Sequence, residues 1–414
     1  MAKSVYITEY ACMRRKLDAA KFETYCKRNG YTIAETPDNA DIIVFFTCAS
    51  TRNEENRGVH IAHMLSAHKA KLIIAGCLPA IAPERLLEIP HFGVAATDDL
   101  DNFDRIFNGG TLAWQDVKDA CAPCEHSAYT DRLVTASPVK KFIYSFEFSV
   151  YFLFLIYTKL RLRFFSEETL PCGLYLKKPV FIRVTRGCNN TCSYCVIRKA
   201  IGPLISKPID ECFSEFKQSI TGDAEHIVFL SEDCGQYGLD IHSSFSELIV
   251  KCDQEYSENP LTWSFEPVGP DWVIDNCGLI YSLAAKEKLV YILCSIQSGS
   301  QRILNAMHRK YKITELAAAL KTIRHSGKKL KIATEIIIGF PGETDEDVVS
   351  TLAFCREMRF DLVTIFAYCD RIGTRSYRME NKNPPGIIKK RLVRACRFFS
   401  KEKIAWHCQF PDSF

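Results

Sequence analysis

The chain has 414 residues, a net charge of +4 and 25% charged residues, which is length enough for two or three ordinary domains of globular composition. Nineteen cysteines, an odd number in so long a chain, exclude a pure disulfide scaffold. No signal peptide follows Met1, so the compartment is read as reducing and cytoplasmic, and the mild basicity permits a nucleic-acid partner without requiring one.

Residues 1–110 alternate short apolar runs with helical stretches. Strands are predicted at Ser4–Glu9, Asp41–Thr47 and Leu72–Ala75, and a helix at Lys16–Asn29 that stops at Gly30. Such alternation predicts a parallel sheet with helices on its faces. Residues 111–141 are polar and read as linker. In 142–165 apolar residues fall on nearly every even position from Phe142 to Phe164. That period of two predicts extended structure, and the run is too broken by Glu147 and Lys159 for a membrane helix. It reads as a lid, an interface strand or a mistranslated stretch. Six further strands follow at Val180–Thr185, Ile227–Ser231, Thr262–Glu266, Val290–Ile296, Lys331–Ile338 and Leu362–Ala367, with helices between them. Residues 386–408 read as a basic amphipathic helix carrying Lys389, Lys390, Arg391, Arg394 and Arg397, which could touch phosphates or form a solvated face. The fold expected is α/β: an N-terminal open parallel-sheet domain (1–110), a linker with an apolar insertion (111–176), a partial (β/α)6 barrel (177–385) and a C-terminal helix (386–414).

The most informative stretch is Arg186-Gly-Cys188-Asn-Asn-Thr-Cys192-Ser-Tyr194-Cys195. It follows the first barrel strand, and so lies at the C-terminal mouth where barrel active sites are built. Three thiolates in one short loop suit three irons of a 4Fe–4S cubane; with no fourth cysteine nearby, one iron stays open. An open iron can chelate the amino and carboxylate groups of S-adenosylmethionine (SAM), and an electron from the cluster then yields a 5′-deoxyadenosyl radical. The competing reading, a zinc site completed by a distant histidine, lacks a second CxxC-like unit with matching spacing. Cys26, Cys212, Cys252, Cys277, Cys355 and Cys396 sit in helical segments and read as core thiols; Cys121 and Cys124 read as linker thiols.

The CxxxCxxC loop with an aromatic before its last cysteine resembles the radical SAM superfamily. Phe229–Asp240, Gln297-Ser-Gly-Ser300 with Met307–Tyr311, Ile336–Thr344 and Tyr368–Thr374 resemble, in order, barrel motifs of its methylthiotransferases. The first is nearest to the branch acting on threonylcarbamoyladenosine in tRNA. The resemblance implies that Tyr194 lies against the adenine of SAM, and that Ser231, Glu232, Asp233, Gln297, Ser298, Arg309, Glu335, Gly339, Pro341 and Gly342 line the cofactor site. Carboxylates such as Glu232, Asp233 and Glu335 can accept from ribose hydroxyls or the SAM ammonium. Gly339 and Gly342 let backbone approach a ligand, although alone they would read as a plain tight turn.

Cys12, Cys48 and Cys77 each close a predicted strand, so three more thiols share one sheet edge. They resemble the N-terminal triad of the methylthiotransferases, and Asp18 matches the acidic residue after the first cysteine. Two positions depart from the family: Arg15 and Phe46 stand where asparagine is usual. The resemblance implies a second 4Fe–4S cluster that carries sulfur, methylation of that sulfur by one SAM, and radical hydrogen abstraction by a second. Methylthio is then delivered to an unactivated carbon, foremost on adenosine 37 of tRNA. It also implies a reducing electron donor and a C-terminal RNA-binding β-barrel, whereas here the chain ends soon after the basic helix. A peptide or small metabolite as substrate, and an inactive iron–sulfur protein, are the competing functions.

Overall fold

The computed structural model describes residues 3–107, 111–123, 179–222, 224–255, 260–327 and 329–410. The apolar block 142–165 and Cys124 lie outside the described residues. The chain forms two compact units.

The first is a five-stranded sheet of β1 (Ser4–Tyr10), β2 (Thr32–Ile33), β3 (Ile42–Thr47), β4 (Lys71–Gly76) and β5 (Gly93–Ala96) in the order β2-β1-β3-β4-β5. All its pairings are parallel. Every residue of β3 is buried, as a central parallel strand covered on both faces must be. The first helix runs Met13–Arg28 and so begins three residues before its predicted start, because the Cys12 carbonyl already accepts from the amides of Arg15 and Lys16. Gly30, at φ 80°, ends it in the left-handed conformation that favours glycine. An aromatic cluster fills one side of the sheet, with Phe22 and Phe103 ring centroids 4.3 Å apart. Trp114 and Val117, in the stretch read as linker, are buried in this same core. The Trp114 amide donates to Asp104. The first domain therefore reaches past its expected end at residue 110, because two apolar side chains in a polar stretch find a core to enter.

The second unit is a seven-stranded, all-parallel sheet of β6 (Pro179–Arg183), β9 (His226–Leu230), β10 (Thr262–Val268), β11 (Leu289–Cys294), β12 (Lys331–Ile338), β13 (Leu362–Ala367) and β14 (Ala405–Gln409). The short strands β7 (Thr185–Arg186) and β8 (Ile205–Ser206) form a separate antiparallel ribbon. The six predicted barrel strands are all present. The seventh, β14, lies in a segment read as helix: the last helix runs only Pro385–Glu402, Lys403 turns left-handed at φ 56°, and β14 then pairs with β13. Arg391, read as a surface cation, is buried and is bound to Asp345, Asn383 and the Glu343 carbonyl.

Candidate iron–sulfur and SAM site

The loop carrying Cys188, Cys192 and Cys195 leaves β7 through Gly187. That residue sits at φ 71°, and a Cβ there would lie 1.7 Å from the Pro203 carbonyl oxygen, so only glycine lets the loop pass this carbonyl. Asn189 donates its amide to Gln236 Oε1 (2.8 Å) and accepts from the Leu204 amide (3.1 Å). The Asn190 side chain donates to Asp233 Oδ2 at 2.8 Å. On the other side, the Ser193 amide and hydroxyl donate to the carbonyls of Met307 and Ala306, and the Ser193 carbonyl accepts from the Ser376 amide. Loops following β9, β11 and β13 thus hold the cysteine loop in place.

All three cysteines are half-buried. Burial pushes the Cys188 thiol up to about 12 and raises Cys195, as expected for sulfurs withdrawn from water with no cation to neutralise them all. Cys192 has one: Arg309 Nη1 stands 3.7 Å from its Sγ, and the same guanidinium donates to the Ser295 carbonyl. A cysteine sulfur set beside a buried cation fits the cubane reading. Among the described residues no three His, Cys, Asp or Glu side chains are gathered as tightly as a single metal ion needs; a cubane takes one thiolate per iron and so a wider spread.

The remaining predicted residues separate into two sets. Gln297 adopts φ 68°, is bridged through its backbone to Glu335 and Ile337, and is buried with its Oε1 lacking any partner among the described residues. A left-handed backbone and an unmet buried acceptor are features that a ligand contact would account for. Glu335 accepts from the Ser295 hydroxyl at 2.7 Å, which places it beside the Arg309 contact. Tyr194 packs against the apolar group of Ile303, Met307, Ile337, Phe340 and Tyr368, and burial holds its hydroxyl well above the usual range. Glu232 is half-buried.

The second set is occupied by the protein itself. Asp233 accepts from the amides of Gly235 and Gly269 as well as from Asn190, so its oxygens serve the loop. Ser231 is buried, and its hydroxyl accepts from the Asp233 amide. The Ser298 hydroxyl meets Thr351 and the Ser300 amide. Gly339 (φ 92°) faces Ile388 of the last helix, 2.6 Å from where a Cβ would stand, and the Gly342 amide donates to Asn381. Pro341 between them is buried. The glycines read as ligand approaches therefore admit the chain's own C-terminal segment. Asn189, Asn190 and Gln236 escaped sequence reasoning; the only signal was their place inside motifs already singled out.

In the first unit, Cys12, Cys48 and Cys77 follow the ends of β1, β3 and β4. Gly76, at φ 96°, crosses Thr47 so closely that a Cβ would lie 2.4 Å from its carbonyl oxygen, and the Cys77 amide then donates to that oxygen. A hydrogen bond with Cys48 holds the Cys12 thiol well below its ordinary range against the cost of burial, with help from Arg14 and Arg15. Burial raises the Cys77 thiol; the Arg15 charge and a side-chain hydrogen bond from it act the other way. Cys77 Sγ also lies 3.7 Å from Thr97 Oγ1. The three predicted thiols therefore converge on one sheet edge.

Residues 182–355 match the radical SAM superfamily, and residues 4–95 match the uncharacterized protein family UPF0004. The threonylcarbamoyladenosine tRNA methylthiotransferase MtaB of Thermotoga maritima is 27% identical over 94% of this chain and 80% of its own length. The tRNA-2-methylthio-N(6)-dimethylallyladenosine synthase of Clostridium beijerinckii is 27% identical over 95% and 79%. Among solved structures, the radical SAM methyltransferase TsrM from Kitasatospora setae shares the fold at a TM-score of 0.55 and 11% identity, covering 88% of this chain and 75% of its own. With the CxxxCxxC loop at its barrel mouth, the chain thus carries a radical SAM domain over residues 182–355 behind a UPF0004 domain over residues 4–95, and is similar over most of its length to tRNA methylthiotransferases.

Proposed function

We propose that this protein is a radical SAM methylthiotransferase that places a methylthio group on an unactivated carbon of a tRNA adenosine. The observation that carries the proposal is the pair of cysteine triads, each at the C-terminal strand ends of its own parallel sheet, in a chain whose relatives are named for that reaction. Cys188, Cys192 and Cys195 would hold one 4Fe–4S cluster and Cys12, Cys48 and Cys77 a second, each with one iron left open. When bound, these clusters and SAM supply one-electron cleavage of the sulfonium and the sulfur to be transferred, driven by an outside reductant.

The chain's own residues do the positioning. Asn189, Asn190 and Ser193 fix the barrel loop, so its sulfurs need little reorganisation on loading. Arg309 places positive charge at Cys192. Gln297 and Glu335 present a buried acceptor and a carboxylate at the mouth, groups suited to the amino group and ribose hydroxyls of SAM. The apolar patch around Tyr194 offers a surface for adenine. No described helix is long and apolar enough to cross a membrane.

The test is incubation of the reconstituted protein with SAM, a low-potential reductant and unmodified or prenyl- or threonylcarbamoyl-modified tRNA, followed by nucleoside mass spectrometry. The expected product is an adenosine heavier by methylthio in place of hydrogen, with 5′-deoxyadenosine released. SAM cleavage with no tRNA product would leave the radical chemistry standing and sink the tRNA assignment.

A further inference from the structure

The N-terminal triad contains a fixed charge that the reaction outlined above does not use. Arg15 sits one turn into the helix that Cys12 opens, and its amide donates to the Cys12 carbonyl. Only 3% of its side chain is exposed, and its Nε is paired at 2.9 Å with Asp18, which is fully buried. A buried guanidinium cannot shed its proton, so it is kept with a partner or not at all. The pair therefore locks Arg15 into one rotamer, and from there its side chain is hydrogen-bonded to the Cys77 thiol while its charge also bears on Cys12. Arg14 bears on Cys12 too, but it is half-exposed and water and salt screen it. Arg15 has no such screen. A buried ion pair contributes little net stability compared with an apolar filling of the same volume, which leaves its orientation toward two sulfurs to be accounted for.

We infer that Arg15, held by Asp18, is a positioning residue of the N-terminal triad that sets the reduction potential of the cluster bound there. The inference rests on the two-cluster reading proposed above. Reduction adds one electron to a group already carrying three thiolates. A buried guanidinium whose charge bears on two of those sulfurs stabilises the more negative state and so raises the potential. Asp18 offsets part of that charge while it anchors Nε at 2.9 Å.

The experiment uses the full chain with Cys188, Cys192 and Cys195 all changed to alanine, so that any cluster belongs to the N-terminal triad. The protein is reconstituted with iron and sulfide, its iron is counted, and the midpoint is read by potentiometric titration with EPR. In Arg15→Gln/Asp18→Asn, which removes both charges and leaves two amides able to pair, the midpoint should fall by at least one tenfold step in the oxidised-to-reduced ratio, about 59 mV for one electron. Arg15→Lys, which keeps the charge, should recover most of that fall. About four irons with an unchanged midpoint in the double variant would overturn the inference and leave the two-cluster reading intact. Should the double variant fail to load, Asp18→Asn, which removes the offsetting negative charge and keeps Arg15, carries the comparison: its midpoint should rise, and a midpoint equal to that of the parent overturns the inference. An iron-free parent would instead remove the second cluster, and this inference with it.

Discussion

Asp233 shows how a carboxylate at a barrel mouth can serve the scaffold. Three donors converge on it, from Gly235, Gly269 and Asn190, and the last of these belongs to the cysteine loop. Burial raises its carboxyl above the usual range, partly opposed by Arg309 and by those donors. Asp233→Ala would leave all three donors unmet, at a cost of about 2–4 kcal/mol in a buried, charge-assisted set. Its expected signature is a lower urea midpoint of the apo-protein together with loss of iron from the barrel triad, whereas Asp233→Asn, which keeps the Oδ1 acceptor, should retain most of the iron. Equal iron retention in Asp233→Ala would mean that the loop holds its shape without this anchor. The sequence disclosed the cysteines, because their spacing is local, but not this anchoring. The contacts of Asn189 and Asn190 span 47 and 43 positions, and which polar groups of two distant loops meet depends on strand register and loop course.

Among the elements, the last helix is where the sequence misled most and where a pH effect follows. Its amphipathic pattern was legible, and the apolar positions Ile388, Leu392, Ala395 and Phe399 are buried. The helix end was not, because the left-handed residue that stops it is Lys403 rather than glycine, so β14 was read as more helix. The packing beside the glycines after β12 was not legible for a related reason: what fills the space beside Gly339 is Ile388 from that helix, a contact no local pattern encodes. Between these elements lies Glu343, which accepts from the Gly339 amide at 2.6 Å and stands 3.7 Å from Arg391. Burial pushes its carboxyl up to about 8 from an ordinary 4.5. The folded protein therefore keeps a proton that the unfolded chain releases, so this group's share of stability is full below the unfolded pKa. It is lost as pH rises from about 4.5 to 8, by up to about 1.4 kcal/mol per unit. Glu343→Gln keeps an acceptor for Gly339 and has no proton to lose. Urea unfolding of the apo-protein at pH 5.5, 7 and 8.5 should show the variant gaining on wild type steadily with pH. Parallel curves would mean that Glu343 is ionised throughout, paired with Arg391.

For the whole molecule, the defining feature is one construction used twice: a parallel sheet whose strand ends deliver three thiols. In the barrel the three come from a single loop, so the spacing 188–192–195 is visible without a fold. In the first unit they come from three strands, 36 and 29 positions apart, and meet only because β1, β3 and β4 are neighbours in register, Tyr10 opposite Thr47 and Thr47 opposite Gly76. Each triad is complete within its own unit, so loading of one should not require the other. Reconstituted wild type should hold about eight irons, and Cys48→Ala and Cys192→Ala about four each. Reductive SAM cleavage divides the two variants further: it should persist in Cys48→Ala, whose barrel triad is intact, and vanish in Cys192→Ala, while methylthio transfer should vanish in both. Four irons in wild type and Cys48→Ala alike would make the N-terminal cysteines inert, and sulfur transfer would give way to a simpler radical SAM reaction. Loss of all iron in either single variant would mean that the two units load as one, against the separate cores that each sheet builds for itself.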